Sequence, residues 1–404
     1  MISGVTGATT GTNVEATGET GEPNHASSSF PVNSIWYVWT APANLSMRFS
    51  TAGSALSTVT MAVYTGSAVN ALSVVNTNAI SPGILRSSVI FMASSGTTYY
   101  IAIDGLDTTV GGISLSWGIN RYSSSRQFNF NGDNSSDFSV FRPTTGVWHT
   151  RQSINGTMSA QQWGVSTDVL VPEDYDGDGK TDTAVWRPTQ STFYILRSSN
   201  NTFFTRQWGT ASDVPIQGDF DGNEIADFNV WRPGEGTFYV LRNNGQMIAQ
   251  QWGISNDTPA PGDYDGDGKT DFAVRRTSGA DAGVFYILRS SSGSLLTQSW
   301  GAGTDKVVPG DYDGDGRSDI AVYRESVRTF YVLRSSDGLL MGQQWGTTGD
   351  LAAPGDYDGD GRTDFTIWRP ADGTFYFLSS LTSTLVVQPW GLNGDRPVAN
   401  SFVR

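Results

Sequence analysis

Apolar and polar residues alternate along this chain in stretches of five or six, and no stretch shows a helical period. In the first 120 residues such stretches are Ser34-Ile35-Trp36-Tyr37-Val38-Trp39, Leu45-Ser46-Met47-Arg48-Phe49-Ser50, Val59-Thr60-Met61-Ala62-Val63-Tyr64, Ser88-Val89-Ile90-Phe91-Met92 and Thr98-Tyr99-Tyr100-Ile101-Ala102-Ile103. They are rich in β-branched and aromatic residues and are separated by Gly, Asn and Pro clusters, which predicts strands joined by turns. Residues 1–120 therefore read as a β-sandwich. A short polar linker, 121–125, follows.

From residue 126 the alternation becomes periodic. One unit reads as strand A (Val171-Pro172-Glu173-Asp174-Tyr175), strand B (Asp182-Thr183-Ala184-Val185-Trp186-Arg187), strand C (Thr192-Phe193-Tyr194-Ile195-Leu196-Arg197-Ser198) and strand D (Phe204-Thr205-Arg206-Gln207-Trp208-Gly209). The A–B connection is short enough for an antiparallel pair. Equivalent points begin at 129, 174, 219, 263, 311 and 356, a spacing near 45 residues, and the one longer unit carries an insertion at 278–283. A period of this length with strand content predicts a β-propeller of four-stranded blades over 126–404. Six complete units fit. A further strand A remains at Pro397-Val398-Ala399-Asn400-Ser401-Phe402, with Ser401 in the place of the first loop aspartate. It closes the ring against the first unit, or pairs with the strand-D-like Ile113-Ser114-Leu115-Ser116-Trp117-Gly118 in an irregular seventh blade, or is donated to a neighbouring molecule.

The A–B connection is a nine-residue loop. Asp174, Asp176, Asp178 and Asp182 stand at positions 1, 3, 5 and 9, and the pattern returns as Asp263, Asp265, Asp267, Asp271; as Asp311, Asp313, Asp315, Asp319; and as Asp356, Asp358, Asp360, Asp364. A looser copy has Asp219, Asp221, Asn223 and Asp227, with Glu224 at position 6. The first copy has Asn129, Asn131, Asp133 and Asp137, with Asn134 at position 6. Carboxylates packed this closely repel one another unless a cation lies between them, and hard oxygen ligands in a short flexible loop suit calcium. Gly at position 6 lets the chain turn so that the position-7 carbonyl also faces inward. That adds Lys180, Lys269, Arg317, Arg362, Ile225 and Ser135 as backbone ligands. An EF-hand would need a Glu at position 12 on a helix, where this chain has Val185 in a strand. Fewer charges weaken a site, so occupancy should fall from the four full loops to 219 and then to 129.

The 404 residues carry 25 basic and 39 acidic side chains, a net charge of −14. Twenty-one of the acids are aspartates of these loops, so five or six bound calcium ions would nearly neutralise the chain. No basic stripe is present to meet phosphates, which argues against a nucleic-acid partner. Cys is absent, so no disulfide forms. No run of about 18 apolar residues is present to span a membrane, and Met1-Ile2-Ser3-Gly4 opens no signal peptide. The chain reads as a mature or trimmed form.

Other recurrent residues read as packing. A Trp closes each strand D (Trp163, Trp208, Trp252, Trp300, Trp345, Trp390), most simply between neighbouring blades rather than as six sugar platforms. Strand B ends in Arg142, Arg187, Arg232, Arg276, Arg324 and Arg369, expected to pair with loop acids or stack on aromatic rings. Trp36 and Trp39 point to opposite faces of their strand, one into the core and one partly exposed. The two histidines, His25 and His149, have no evident ligand or triad set and are expected on the surface or in packing.

The loop words at this period resemble the FG-GAP/VCBS-type repeat, the calcium-loop blade also found in integrin α subunits and some fungal lectins; the resemblance covers 126–404. Residues 1–120 resemble the bacterial pre-peptidase C-terminal-like domain through Gly21-Glu22-Pro23-Asn24-His25-Ala26, Ile35-Trp36-Tyr37-Val38-Trp39-Thr40-Ala41-Pro42, Ala62-Val63-Tyr64-Thr65-Gly66 and Gly96-Thr97-Thr98-Tyr99-Tyr100-Ile101-Ala102-Ile103-Asp104-Gly105. Acids that family often carries are replaced by Ser57 and Asn78-Ala79, so no metal site is carried over to this unit. The resemblance implies an extracellular or cell-surface, calcium-stabilised adhesion or recognition module that binds a glycan or a surface protein. The competing expectation is a structural subunit of a surface layer or filament, self-assembled through the sandwich and the C-terminal strand. No catalytic constellation appears, and the aspartates serve better as structural metal ligands than as acid–base pairs.

Overall fold

A computed structural model describes residues 1–25, 33–42, 45–51, 54, 59–78, 88–105, 109–119, 127–133 and 135–403. The expected linker at 121–125 lies outside them, as do Ser57, Ala79 and Asn134. The chain divides into two compact units, Met1–Asn120 and Arg121–Arg404. Both are built from antiparallel four-stranded sheets, and no helix among the described residues is long and apolar enough to cross a membrane.

The first unit holds two sheets. One runs Gly7–Thr12, Gly112–Ile119, Leu45–Ser50, Ser88–Ala93 in spatial order, and the other Ile35–Thr40, Thr98–Gly105, Val59–Thr65, Ser73–Asn78. One apolar core takes side chains from both, among them Trp39, Phe49, Met61, Phe91, Ile101 and Leu115. Trp39 is fully buried, while Trp36 faces the other side of its strand and donates its indole N–H to Glu22 at 2.6 Å. His25 is not a surface residue: it is fully buried, with Nδ1 2.8 Å from the Tyr64 hydroxyl and Nε2 3.1 Å from Glu22 Oε1. Glu22 is three residues away, but Tyr64 comes from a strand 39 residues on, and spacing alone did not reveal that contact. Gly112–Ile119 pairs with Gly7–Thr12 and Leu45–Ser50 inside this unit, not with the C-terminal strand.

The second unit is β-propeller-like: six four-stranded sheets in sequence, each ordered A-B-C-D. In the second repeat these are Val169–Leu170, Thr183–Arg187, Thr192–Leu196 and Phe203–Gln207. Strand A is shorter and earlier than its alternation suggests. Pro172 has no N–H for the ladder, so after Val171 the pairing survives only as the isolated bridge Glu173↔Asp182. The insertion at 278–283 sits in the turn between strands Phe272–Arg276 and Val284–Leu288.

Among the described residues, the first repeat takes its strand A from the chain terminus. Arg396–Pro397 fills the place, pairing with Phe141 and Val140. Beyond it the expected strand is instead a 3-10 turn, Val398–Phe402, because Val398 and Ala399 turn inward to the core and Phe402 meets Phe128 edge-on at 5.2 Å.

Two sets of bonds tie each sheet to the next and close on the first. Each strand-D Trp donates its indole N–H to a strand-C carbonyl of the following repeat: Trp163 to Tyr194, Trp208 to Tyr239, Trp252 to Tyr286, Trp300 to Tyr331, Trp345 to Tyr376 and Trp390 to His149, all at 2.9–3.1 Å. The rings are half-buried between repeats, as expected of packing residues. Five of the six strand-B arginines stack on aromatics too, but their acids are not those of the loops. Arg142, Arg187, Arg232, Arg276, Arg324 and Arg369 make two-pronged pairs with Asp395, Asp168, Asp213, Asp257, Asp305 and Asp350, in the turns from strand D to strand A. These six aspartates are buried, and each fixes its turn by also accepting a backbone N–H, as Asp168 does from Val165 at 2.9 Å.

Closure by the C-terminal strand yields a test. Truncation after Asp395 removes strand A of the first repeat and the Phe402–Phe128 contact. The melting temperature should fall by at least about 5 °C, with earlier proteolysis of residues 127–163; a truncated chain that melts like the full one would show that the pairing contributes nothing.

Candidate metal sites

The nine-residue loops lie between strands A and B, and their shape is set by carboxylates accepting backbone amides. The position-1 side chain takes the N–H of position 4 in all six: Gly132 to Asn129, Gly177 to Asp174, Gly222 to Asp219, Gly266 to Asp263, Gly314 to Asp311 and Gly359 to Asp356, at 2.6–2.7 Å. Its second oxygen takes position 6, as Gly179 N–H to Asp174 at 2.8 Å. Position 5 accepts from position 7: Lys180 N–H to Asp178, Ile225 to Asn223, Lys269 to Asp267, Arg317 to Asp315, Arg362 to Asp360 and Ser135 to Asp133. Position 9 reaches back to the N–H of position 2, for example Asp182 to Tyr175 at 2.9 Å. Each amide accepted favours the charged form and offsets part of the cost of burying it.

Two glycines meet this geometry in each of the four full loops. Position 6 has positive φ, as expected, and Glu224 adopts it at 66° despite its side chain. Position 4 is equally left-handed, with φ of 78° at Gly177, and a Cβ there would lie 3.0 Å from the Ile225 side chain of the next loop. The position-7 side chains thus pack on the preceding loop. Lys180 covers Gly132, Lys269 covers Gly222, Arg362 covers Gly314 and Ser135 covers Gly359.

The loops are also hydrogen-bonded to one another in a closed cycle. Position-8 N–H donates to the position-1 carbonyl of the preceding loop: Thr181 to Asn129, Ala226 to Asp174, Thr270 to Asp219, Ser318 to Asp263, Thr363 to Asp311 and, closing, Ser136 to Asp356, at 2.6–2.8 Å. The residue before most loops is Gly because the position-8 hydroxyl residue lies over it; a Cβ on Gly310 would sit 2.6 Å from the Thr363 hydroxyl. Glu173 breaks this rule, and its facing position 8 is the small Ala226. Burial and the neighbouring Asp174 push the Glu173 carboxyl up to about 8.

Five loops bring three carboxylates together with ligand oxygens within 4.8 Å: Asp174, Asp176, Asp182; Asp219, Asp221, Asp227; Asp263, Asp265, Asp271; Asp311, Asp313, Asp315; and Asp356, Asp358, Asp360. These triads could hold metal ions. Asp178, Asp267, Asp319 and Asp364 stand in the same loops but outside the triads. The donor set fits a hard cation. Asp176 Oδ1 and Asp221 Oδ1 are buried acceptors with no hydrogen-bond partner, which a bound cation would supply. Burial, and then the position-3 charge, raise the position-9 carboxyls: Asp182, Asp227, Asp271 and Asp319 to about 7 and Asp364 to about 8. At position 1, burial lifts Asp174 to about 6 and Asp356 to about 7, with Asp219, Asp263 and Asp311 well above the ordinary range.

The first loop differs. The Asn131 amide donates to Asp133 Oδ2 at 2.8 Å, so a fixed N–H stands where a cation would compete, and the Asn129 amide nitrogen is a buried donor without a partner. Asp137 remains, raised by burial to about 7. In the 311 loop the Arg317 guanidinium already lies on Asp315 Oδ2.

The serines of the C–D turn complete the sites, a role the sequence reading did not assign them. Ser198 Oγ donates to Asp178 and Ser199 Oγ to Asp176, at 2.9 and 2.6 Å; Ser290 and Ser291 serve Asp267 and Asp265, and Ser335 and Ser336 serve Asp315 and Asp313. The recurring Arg-Ser-Ser word after strand C was the available signal. Only the folded hairpin brings it over the loop.

A family model for FG-GAP-like repeats matches residues 219–274 and 263–322. No curated protein matches the chain. Among solved structures it is similar to a virginiamycin B lyase from Staphylococcus aureus, at 8% identity over 67% of this chain and 94% of that one, with a TM-score of 0.41. It is also similar to AztD from Citrobacter koseri, at 10% identity over 87% and 96% of the two chains, with a TM-score of 0.39. At this distance neither carries an argument about chemistry.

Two outcomes are expected. Calcium calorimetry should count about five sites rather than six, with 219 weaker than the four full loops and the 129 loop silent; six equal sites would sink the ranking. The raised carboxyls give the metal-free protein an inverted pH response. Folded carboxyls near 7 and unfolded ones near 4 mean that the folded chain holds more protons between those values. Stability without metal should be highest below about pH 4 and fall as pH rises through about 7, and calcium should reverse the trend. Melting curves in EDTA at several pH values check the sign.

Proposed function

We propose that the chain is a calcium-stabilised recognition or adhesion module that works outside the cell and catalyses no reaction. In this reading residues 126–404 form a six-bladed propeller of FG-GAP/VCBS type, and residues 1–120 form a pre-peptidase C-terminal-like β-sandwich. The observation that carries it is the hydrogen-bonded cycle of loops in which five carboxylate triads recur. Triads that recur in five of the six loops of a closed cycle are placed to hold its junctions, since carboxylates committed to backbone amides are poorly placed to shuttle protons.

Asp174, Asp176 and Asp182, and the triads of the other four loops, would hold the ions. Calcium, when bound, supplies the positive charge that offsets their repulsion. Millimolar calcium outside the cell would saturate even weak sites of this kind, which is the basis for the extracellular assignment. The partner is a glycan or a surface protein. A structural subunit assembled by exchange of the C-terminal strand is disfavoured, because Arg396–Pro397 are paired within the chain.

Removing calcium with EDTA should lower the melting temperature by about 10 °C or more, because binding energy available only to the fold is folding energy. Calcium should restore it and magnesium should not, given the near-ideal octahedral geometry magnesium demands. An unchanged melting temperature would refute the structural-calcium reading. Glycan arrays and surface-protein panels probed with and without calcium should show calcium-dependent capture by the monomer.

A further inference from the structure

Five repeats close over their strand-B arginine in one way. The guanidinium lies over the ring of the third strand-C residue: Arg187 over Tyr194 at 4.6 Å, Arg232 over Tyr239 at 4.4 Å, Arg276 over Tyr286 at 4.7 Å, Arg324 over Tyr331 at 4.9 Å and Arg369 over Tyr376 at 4.2 Å. Three of the phenols are also held by an acid of the B–C turn: Tyr239 by Glu235, Tyr286 by Asp281 and Tyr376 by Asp372. The first repeat has His149 instead, and its turn, Pro143-Thr144-Thr145-Gly146, has no acid.

The surrounding frame is unchanged there. Trp390 still donates to the His149 carbonyl at 3.0 Å, and Arg142 still grips Asp395 at 2.8 and 2.9 Å. What is missing is the six-membered ring. A groove lies at this junction, lined by Arg142, His149, Asp372, Pro389, Trp390 and Leu392. Where an aromatic side chain has been lost from a site whose walls persist, an aromatic guest fits the space and the cation face together.

We propose that this groove takes an aromatic side chain, a tyrosine ring above all, presented by a partner polypeptide. The inference rests on the recognition reading above and names the chemistry of the partner. The groove's polar groups are largely committed already. Asp395 holds Arg142 and the Leu392 N–H, Asp372 holds the Tyr376 hydroxyl, and the Trp390 N–H is spent on His149. Few remain to read the hydroxyls of a sugar. Open to a guest are the Arg142 face, the Trp390 and Leu392 side chains, and the His149 imidazole, which burial and the Arg142 charge keep neutral and able to accept a phenol O–H.

The test uses the full chain in about 1 mM calcium and N-acetyl-tyrosinamide as probe, with N-acetyl-leucinamide and methyl glycosides as comparisons, read by saturation-transfer NMR. The tyrosyl probe should bind the unaltered protein best. His149→Tyr refills the groove with the chain's own phenol and should weaken the probe at least tenfold without lowering the melting temperature. Leu392→Asp, at an exposed rim position, should weaken it as well and guards against a misfolded first variant. Equal binding to the unaltered protein and both variants, no binding at all, or preference for a methyl glycoside would overturn the proposal. None of these outcomes touches the calcium reading, which is decided by melting in EDTA.

Discussion

The repulsion among aspartates that share one short loop is the constraint the second unit is built around. Positions 1 and 3 bring three carboxylates within contact range in five loops, with position 9 in three of them and position 5 in the other two, and burial makes each charge dearer to hold. Backbone amides answer part of that charge. They come from the loop itself and from the C–D turn, and at position 1 the same residue lends its carbonyl to the next loop. The charge left over is what a cation would meet, so the stability of the loops, of the junctions and of the closed cycle are one quantity seen at three scales.

Repetition makes the departures informative. Where Glu173 replaces the glycine before its loop, the facing hydroxyl residue has become Ala226. Arg275 stands where other repeats carry an aromatic, is fully buried, and still reaches backbone oxygens of its own D–A turn, at Asp305 and Ala302. The first repeat is the most altered. It borrows its strand A from the chain terminus, carries the asparagine-rich loop and has His149 where a tyrosine recurs. A ring must close somewhere, and the closing repeat is under the least pressure to match its neighbours.

Much of this was legible beforehand. Alternation gave strands, the 45-residue period gave a propeller of four-stranded units, and the spacing of Asp174, Asp176, Asp178 and Asp182 pointed to a cation. The glycines of position 6 were understood from local sterics alone. The position-4 glycines were not, since their reason is the side chain of the following loop. The Asp168 class was overlooked for a similar cause: a single aspartate in a turn has no pattern of its own until Arg187 is brought against it. Ser198 and Ser199 lie 16 residues or more from the carboxylates they serve. His25 became intelligible only when Tyr64 and Glu22 met it in the core.

The sequence by itself determined the class of the fold, the period of the repeat and the place and charge of the aspartate loops. Each of these depends on short-range order, in which residues a few positions apart must satisfy one another. The tertiary structure decided which arginine meets which aspartate, how the terminal strand closes the first sheet, and which loops keep three carboxylates in reach of one ion. The first two join residues across a turn between repeats or from opposite ends of the chain, and the third depends on how each loop is folded against its neighbours. Chain order does not choose among six nearly equivalent partners; packing and closure do.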